Sequence, residues 1–207
     1  MQIHTIEVGE LLTNCYIVVS ENKKAVIIDP GAEPAKIIAF LESHSLVPQF
    51  ILLTHGHYDH IEAIEALKTR YPLQVYVGRE DAIMINKEVW ILYLKRNFSK
   101  VSYDLILQEK EELNVDELRI STISTPGHSA GSLSFLIGDN IFTGDCLFAD
   151  GGVGRTDLWQ GSLLQLKHSI EEKLFKLPDK TSVYPGHGSS SSIGKEKEIH
   201  RKHRILR

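Results

Sequence analysis

Only two cysteines, Cys15 and Cys146, occur in 207 residues. That is too few for a disulfide framework, so a reducing compartment is the simpler reading and a cytoplasmic location is expected. Long apolar runs are missing too. No window reaches the length of a membrane span, and Met1-Gln2-Ile3-His4-Thr5-Ile6-Glu7 carries no basic stretch followed by an apolar core, so neither a membrane partner nor a secretory leader is predicted. The net charge of −4 gives no case for a nucleic-acid partner. Linkers, low-complexity tracts and repeats are absent as well. At 42% hydrophobic and 24% charged, the composition is that of an ordinary globular protein. One domain over residues 1–207, with a short basic C-terminal tail, is expected.

What the chain does have is an unusual density of metal-binding side chains. Thr54-His55-Gly56-His57-Tyr58-Asp59-His60 places three imidazoles and a carboxylate directly after the apolar run Phe50-Ile51-Leu52-Leu53. Imidazole and carboxylate together suit Zn²⁺, iron or Mn²⁺. Spacing by two along an extended loop points His55 and His57 the same way, toward one ion. Asp59 and His60 open the amphipathic segment Ile61 to Leu67, and the turn into that helix aims them at a second ion.

Three further segments run from β-favouring residues into a glycine followed at once by a His or Asp. They are Leu118 to His128, Asn140 to Asp145 and Ser182 to His187. Glycine there permits a sharp turn at a strand end, and strand-end loops along one sheet edge are where αβ proteins usually carry chemistry. Elsewhere, strands are predicted over Gln2–Val8, Cys15–Val19, Ala25–Asp29, Phe50–Thr54 and Gln74–Val77. Helices are predicted over Pro34–Leu46, Ile61–Arg70 and Ser162–Leu177, and a hairpin turns at Gly138-Asp139-Asn140. Two face-to-face sheets with helices outside fit this order.

With Thr13-Asn14-Cys15-Tyr16, Ile28-Asp29-Pro30-Gly31-Ala32, Thr125-Pro126-Gly127-His128-Ser129, Thr143-Gly144-Asp145, Gly154-Arg155-Thr156-Asp157 and Tyr184-Pro185-Gly186-His187-Gly188 added to the first cluster, the chain resembles the metallo-β-lactamase fold superfamily. Within it, the chain is similar to the glyoxalase II (hydroxyacylglutathione hydrolase) thioesterases. The resemblance implies a four-layer αββα sandwich and two divalent cations, zinc foremost, with iron or manganese as alternatives. It implies that His55, His57 and His128 hold one ion, that Asp59, His60 and His187 hold the other, and that Asp145 bridges them.

Two adjacent cations acidify a bridging water and polarise a carbonyl oxygen. Hydrolysis of a small-molecule acyl-thiol such as S-D-lactoylglutathione is then chemically sufficient, because the leaving thiolate needs no strong general acid. Asp59 is read as the catalytic residue that also orients the nucleophile. Arg155 falls near the place where the glyoxalase II pattern carries a cation that meets the thiol carrier's carboxylate; its other reading is a brace with Asp157. The loop from Cys146 to Gly154 is one residue longer than that pattern. The larger members' C-terminal helical region is largely replaced by residues 194–207, read as a solvated helix with His200 and His203 at the surface. Cys146 is read as core. His4, His44 and His168 are read as structural or surface residues. The apolar segment Glu80 to Lys100 is read as core packing, a cap on the acyl group or a dimer interface. Competing readings are a persulfide dioxygenase holding one Fe(II) on His55, His128 and Asp145, and a catalytically silent metal-binding protein.

Overall fold

The computed structural model describes residues 1–85, 101–203 and 205. Among these, two six-stranded sheets form. The first carries β1 (Gln2–Val8), β2 (Thr13–Val19), β3 (Lys24–Ile28), β4 (Val47–Leu52), β5 (Gln74–Gly78) and β6 (Leu105–Leu107) in chain order. The second carries β7 (Glu112–Val115), β8 (Leu118–Ser124), β9 (Leu133–Ile137), β10 (Asn140–Gly144), β11 (Ser182–Pro185) and β12 (Ser191–Ser192), again in chain order. β1, β2 and β3 pair antiparallel and β3 to β6 parallel. In the second sheet β10 and β11 are the parallel pair, while β9 and β10 form the hairpin expected at Gly138 to Asn140.

Alternation along β2 and β3 sets the layers. Cys15, Ile17, Val19, Ala25 and Ile27 face outward onto Ile37 and Leu41 of α1 (Pro34–Ser43) and Ile64 and Leu67 of α2 (Ile64–Arg70). Tyr16, Val18, Val26 and Ile28 face inward, onto Leu118, Ile120, Phe135, Ile137 and Phe142 of the second sheet. The Tyr16 ring meets Phe142 edge-on at 5.1 Å, and burying such a ring contributes roughly 1.5–3 kcal/mol. On the far side of the second sheet, Ile141 and Val183 pack against Leu166, Ile170, Leu174 and Ile193. The layering is αββα, as the sequence predicts. Both cysteines are buried and free of a disulfide, with Cys146 in the outer core of the second sheet.

The predicted helix over Ser162–Leu177 is interrupted. α4 (Leu163–His168) gives way to a wide π turn at Ser169–Lys173 and a tight 3₁₀ turn at Leu174–Lys176. Buried Ser169 donates its hydroxyl to the Pro126 carbonyl at 2.7 Å, and the chain widens where that bond docks it. Leu166, Ile170 and Leu174 remain buried, whereas Leu163 turns out to solvent. The Ile61–Arg70 helix likewise starts later, at Ile64, behind a 3₁₀ turn over Tyr58–His60.

The C-terminal segment is not a solvated tail. In α5 (Ile193–His203), Ile193, Glu196 and His200 make a buried stripe at helical spacing. Glu196 accepts the Asp150 and Gly151 N–H groups at 3.2 and 2.7 Å and the Ser191 hydroxyl. His200, expected at the surface, is 7% exposed against the Phe175 ring, whereas His203 is exposed. Of the apolar segment from Glu80 to Lys100, residues 86–100 lie outside the described residues. Its first turns, α3 (Arg79–Ile85), bury Asp81, Ala82, Met84 and Ile85.

Candidate metal centre

The strand-end loops converge on one edge shared by both sheets. The loop after β4 delivers His55, His57, Asp59 and His60. The loops after β8, β10 and β11 deliver His128, Asp145 and His187. Two triads result, His55/His57/His128 and Asp59/His60/His187, with the ligand atoms of each within 4.8 Å of one another. His57 Nδ1 and His128 Nε2 are 2.7 Å apart. His187 Nε2 lies 3.4 Å from His60 Nε2 and 3.3 Å from Asp59 Oδ2. Asp145 lies between the triads: its Oδ2 is 3.5 Å from both His128 Nε2 and His187 Nε2, and its Oδ1 is 3.5 Å from His60 Nε2. All seven positions named from the sequence come together. Gly186 makes this possible, because a side chain there would place its Cβ 2.2 Å from Asp145 Oδ1.

Proton bookkeeping shows which nitrogens face the centre. Thr54 spends its hydroxyl proton on Asp29 Oδ2 at 2.5 Å, so His55 must donate Nδ1–H to Thr54 Oγ at 3.0 Å. His55 Nε2 is then a bare acceptor, buried and without a hydrogen-bond partner, as is Asp145 Oδ1. His128 Nδ1 meets the Arg155 carbonyl at 2.7 Å, His187 Nδ1 the Leu11 carbonyl at 3.0 Å, and His60 Nδ1 the Asp29 carboxylate at 3.0 Å. Nδ1 anchored behind and Nε2 presented in front is the arrangement that fixes imidazole as a ligand. His57 is reversed, presenting Nδ1. Asp29 also comes within ligand range of His55 and His60, but Oδ1 accepts the Thr54 N–H and Oδ2 is held by Thr54 and His60. It orients ligands rather than joining them. Lone pairs left bare in a buried, anionic and imidazole-rich setting suit a pair of divalent cations.

Electrostatics divides the centre. Burial, joined by repulsion from His128 and His60, lowers His57 to about 3 against Asp145 and Asp59. Burial likewise lowers His55, with the neighbouring imidazoles adding to it. His60 and His187 go the other way. Burial opposes the shift, but Asp59, Asp145 and Asp29 raise His60 to about 9. The Asp145 and Asp59 carboxylates raise His187 to about 10. Asp59 is held well below the usual carboxylate range, since burial is outweighed by His60, His187 and His57. Burial pushes the Cys146 thiol up to about 12, which fits a core residue rather than a ligand.

Arg155 makes a bidentate pair with Asp157, with Nε–Oδ1 and NH2–Oδ2 both 2.8 Å. Its guanidinium is 58% exposed, and its backbone carbonyl serves the centre through His128. Sequence reasoning assigned no role to Leu11, Thr13, Asp29, Thr54 or Asp81. Thr13 donates its hydroxyl to Asp59 Oδ2 at 3.2 Å. Asp29 and Thr54 stand in quoted motifs, so their presence was visible but not their function. A backbone carbonyl such as that of Leu11 leaves no signal in residue type.

The family model for the metallo-beta-lactamase superfamily matches residues 8–187. The chain belongs to that superfamily. Relatives in it include the probable metallo-hydrolase YqgX of Bacillus subtilis, 34% identical over 96% of this chain and 95% of that protein. Another is the hydroxyacylglutathione hydrolase GloC of Haemophilus influenzae, 34% identical over 95% of each. Among solved structures, the BLEG-1 B3 metallo-β-lactamase superposes with TM-score 0.90 at 33% identity, covering 95% of this chain and 97% of that one. The di-iron-bound form of TTHA1623 does so with TM-score 0.85 at 32% identity, covering 95% and 98%. ETHE1 from Myxococcus xanthus gives TM-score 0.82 at 32% identity, covering 96% and 83%. Among the described residues no helix is long and apolar enough to cross a membrane.

Proposed function

We propose that this protein is a binuclear metal-dependent hydrolase of the glyoxalase II type that cleaves a small acyl-thiol such as S-D-lactoylglutathione. The supporting observation is the position of Asp145, equidistant at 3.5 Å from His128 of one triad and His187 of the other. A single carboxylate serving two triads suits two ions sharing one centre better than one ion alone. His55, His57 and His128 would hold the first, Asp59, His60 and His187 the second. When bound, two cations supply Lewis acidity for water and for a carbonyl. Zinc is the first candidate, and the di-iron form of a similar chain keeps iron beside it.

The chain's own residues supply the rest. Asp59, ionised and steadied by Thr13, accepts a hydrogen bond from the attacking water and fixes its approach to the acyl carbon. Arg155 exchanges Asp157 for the carrier's carboxylate, keeping a bidentate geometry. The departing thiol has an intrinsic pKa of about 8.5, so it leaves as thiolate without a dedicated acid. The GloC relative is a hydroxyacylglutathione hydrolase, which supports the same substrate class.

The test is thiol release from S-D-lactoylglutathione by the metal-replete protein, with a chelated sample as control. Rapid release abolished by chelation is expected. Absence of release from protein holding two ions overturns this substrate class. A single iron with oxygen consumption on a persulfide moves the assignment to a persulfide dioxygenase using His55, His128 and Asp145.

A further inference from the structure

Asp81 lies outside every motif of the family resemblance, yet it is the buried side chain that ties two ligand-bearing loops together. It sits in the first turn of α3 and is 1% exposed. Its Oδ2 accepts the Gly56 N–H at 2.8 Å and the Ser129 hydroxyl at 2.7 Å, and its Oδ1 accepts the Gly131 N–H at 2.7 Å. Gly56 lies between His55 and His57, and Ser129 directly follows His128. One carboxylate therefore grips residues that flank all three histidines of the first triad, two through backbone N–H groups and one through a hydroxyl. Ser129 spends its proton on Asp81, so Ser132 donates to Ser129 at 2.6 Å while its own oxygen accepts the Ser129 N–H at 3.2 Å. That arrangement closes the loop around the carboxylate. The fit is tight: a Cβ at Gly131 would come 2.6 Å from Asp81 Oδ1 and 2.4 Å from its backbone nitrogen.

We infer that Asp81 is a positioning residue for the His55/His57/His128 site, setting the separation of the two loops that must close on one ion. Hydrogen bonds to an ionised acceptor are about twice as strong as neutral ones, and three of them fix loops that otherwise belong to different sheets. None of the three reaches the Asp59/His60/His187 triad, whose anchors are Asp29, Thr13 and the Leu11 carbonyl. The effect is therefore selective for one of two neighbouring sites. A merely structural carboxylate would not discriminate between them.

The inference rests on the two-ion reading and is tested by metal titration rather than turnover. Metal-free wild type and Asp81→Asn are titrated with Co(II), following visible absorption, and with Zn(II) against a chromophoric chelator that resolves two dissociation constants. The asparagine keeps the volume but replaces an acceptor with a donor, facing donors that are already in place. Expected is a loss of tenfold or more at the first site, the range of about 10–100-fold typical for groups that orient ligands, with less than threefold change at the second. Ser129→Ala, which removes one of the three bonds, is expected to weaken the same site to a smaller degree, and it decides the matter if Asp81→Asn does not fold. Equal losses at both sites, or none at either, overturn the assignment. A wild-type protein that takes up no metal removes the two-ion reading itself and this inference with it, an outcome distinct from a failed variant.

Discussion

Asp29 Oδ2 lies 3.0 Å from His60 Nδ1, and both side chains are out of solvent. The same oxygen takes the Thr54 hydroxyl, and Thr54 in turn orients His55. One carboxylate thus sets a histidine of each triad, directly in one case and through a hydroxyl in the other. Asp29→Ala should lower metal affinity at both sites by at least about tenfold, and more at the His60 site, where the contact is direct. The two-constant titration used for Asp81 reads this. Loss confined to the His55 site would contradict it.

Metal uptake should release protons. At pH 7.5 the raised His60 and His187, near 9 and 10, carry protons in the metal-free protein, whereas His55, His57 and His128 are lowered and carry none. Filling both sites at that pH should therefore release about two protons, measurable by calorimetry in buffers of different ionisation enthalpy. The same imidazoles bear on the metal-free fold. Their pKa values are higher folded than unfolded, so their stabilising contribution is full below about 6.5 and is lost as pH rises through 9 to 10. Thermal melts of chelated protein should fall across that upper window.

Arg155→Ala should raise KM for the acyl-thiol without a matching fall in kcat, because the contact is to the carrier and not to the reacting carbon. The pair with Asp157 is exposed on both sides and screened by solvent, so melting should be essentially unchanged. Asp157→Asn should lower KM by releasing the guanidinium. Parallel effects of the two variants on KM would argue for a simple loop brace.

His200 supplies an acid-side prediction of opposite sign. Burial lowers its pKa despite Glu196 and Glu171 nearby, and neither ring nitrogen has a hydrogen-bond partner. A proton therefore favours the unfolded chain, and stability falls as pH drops below about 6.5, the ordinary histidine value. Chelated His200→Leu should lose less melting temperature than chelated wild type between pH 7.5 and 5. Identical slopes would refute this.

Much of this was readable from residue types and spacing, and the exceptions have physical causes. The αββα layers follow from strands whose alternate faces are both apolar, visible in Cys15 to Val19 and Ala25 to Ile28. All seven expected ligands converge because each stands at a strand end on the same edge. The break at Ser169 was hidden because the leucine spacing continues through it, while one serine contact to the Pro126 carbonyl widens the turn. The docking of α5 was hidden for a different reason: two of the three residues in its buried stripe, Glu196 and His200, are polar, so apolar periodicity has little to register. Asp81 escaped because its partners are two N–H groups and a hydroxyl, which common loop residues provide. Its site lies 25 residues from Gly56 and 48 from Ser129 in sequence.

The two sheets are built from successive halves of the chain, and neither half holds a complete triad. Each triad takes two ligands from the loop after β4 and one from a loop of the second sheet. A bound cation is thus a rivet through the seam, and the gap between sheets becomes the ruler by which the ion is measured. Core substitutions deep between the layers, at Phe135 or Phe142 for instance, are therefore expected to change metal affinity even though they stand among hydrocarbon. In this molecule packing and coordination are one adjustment.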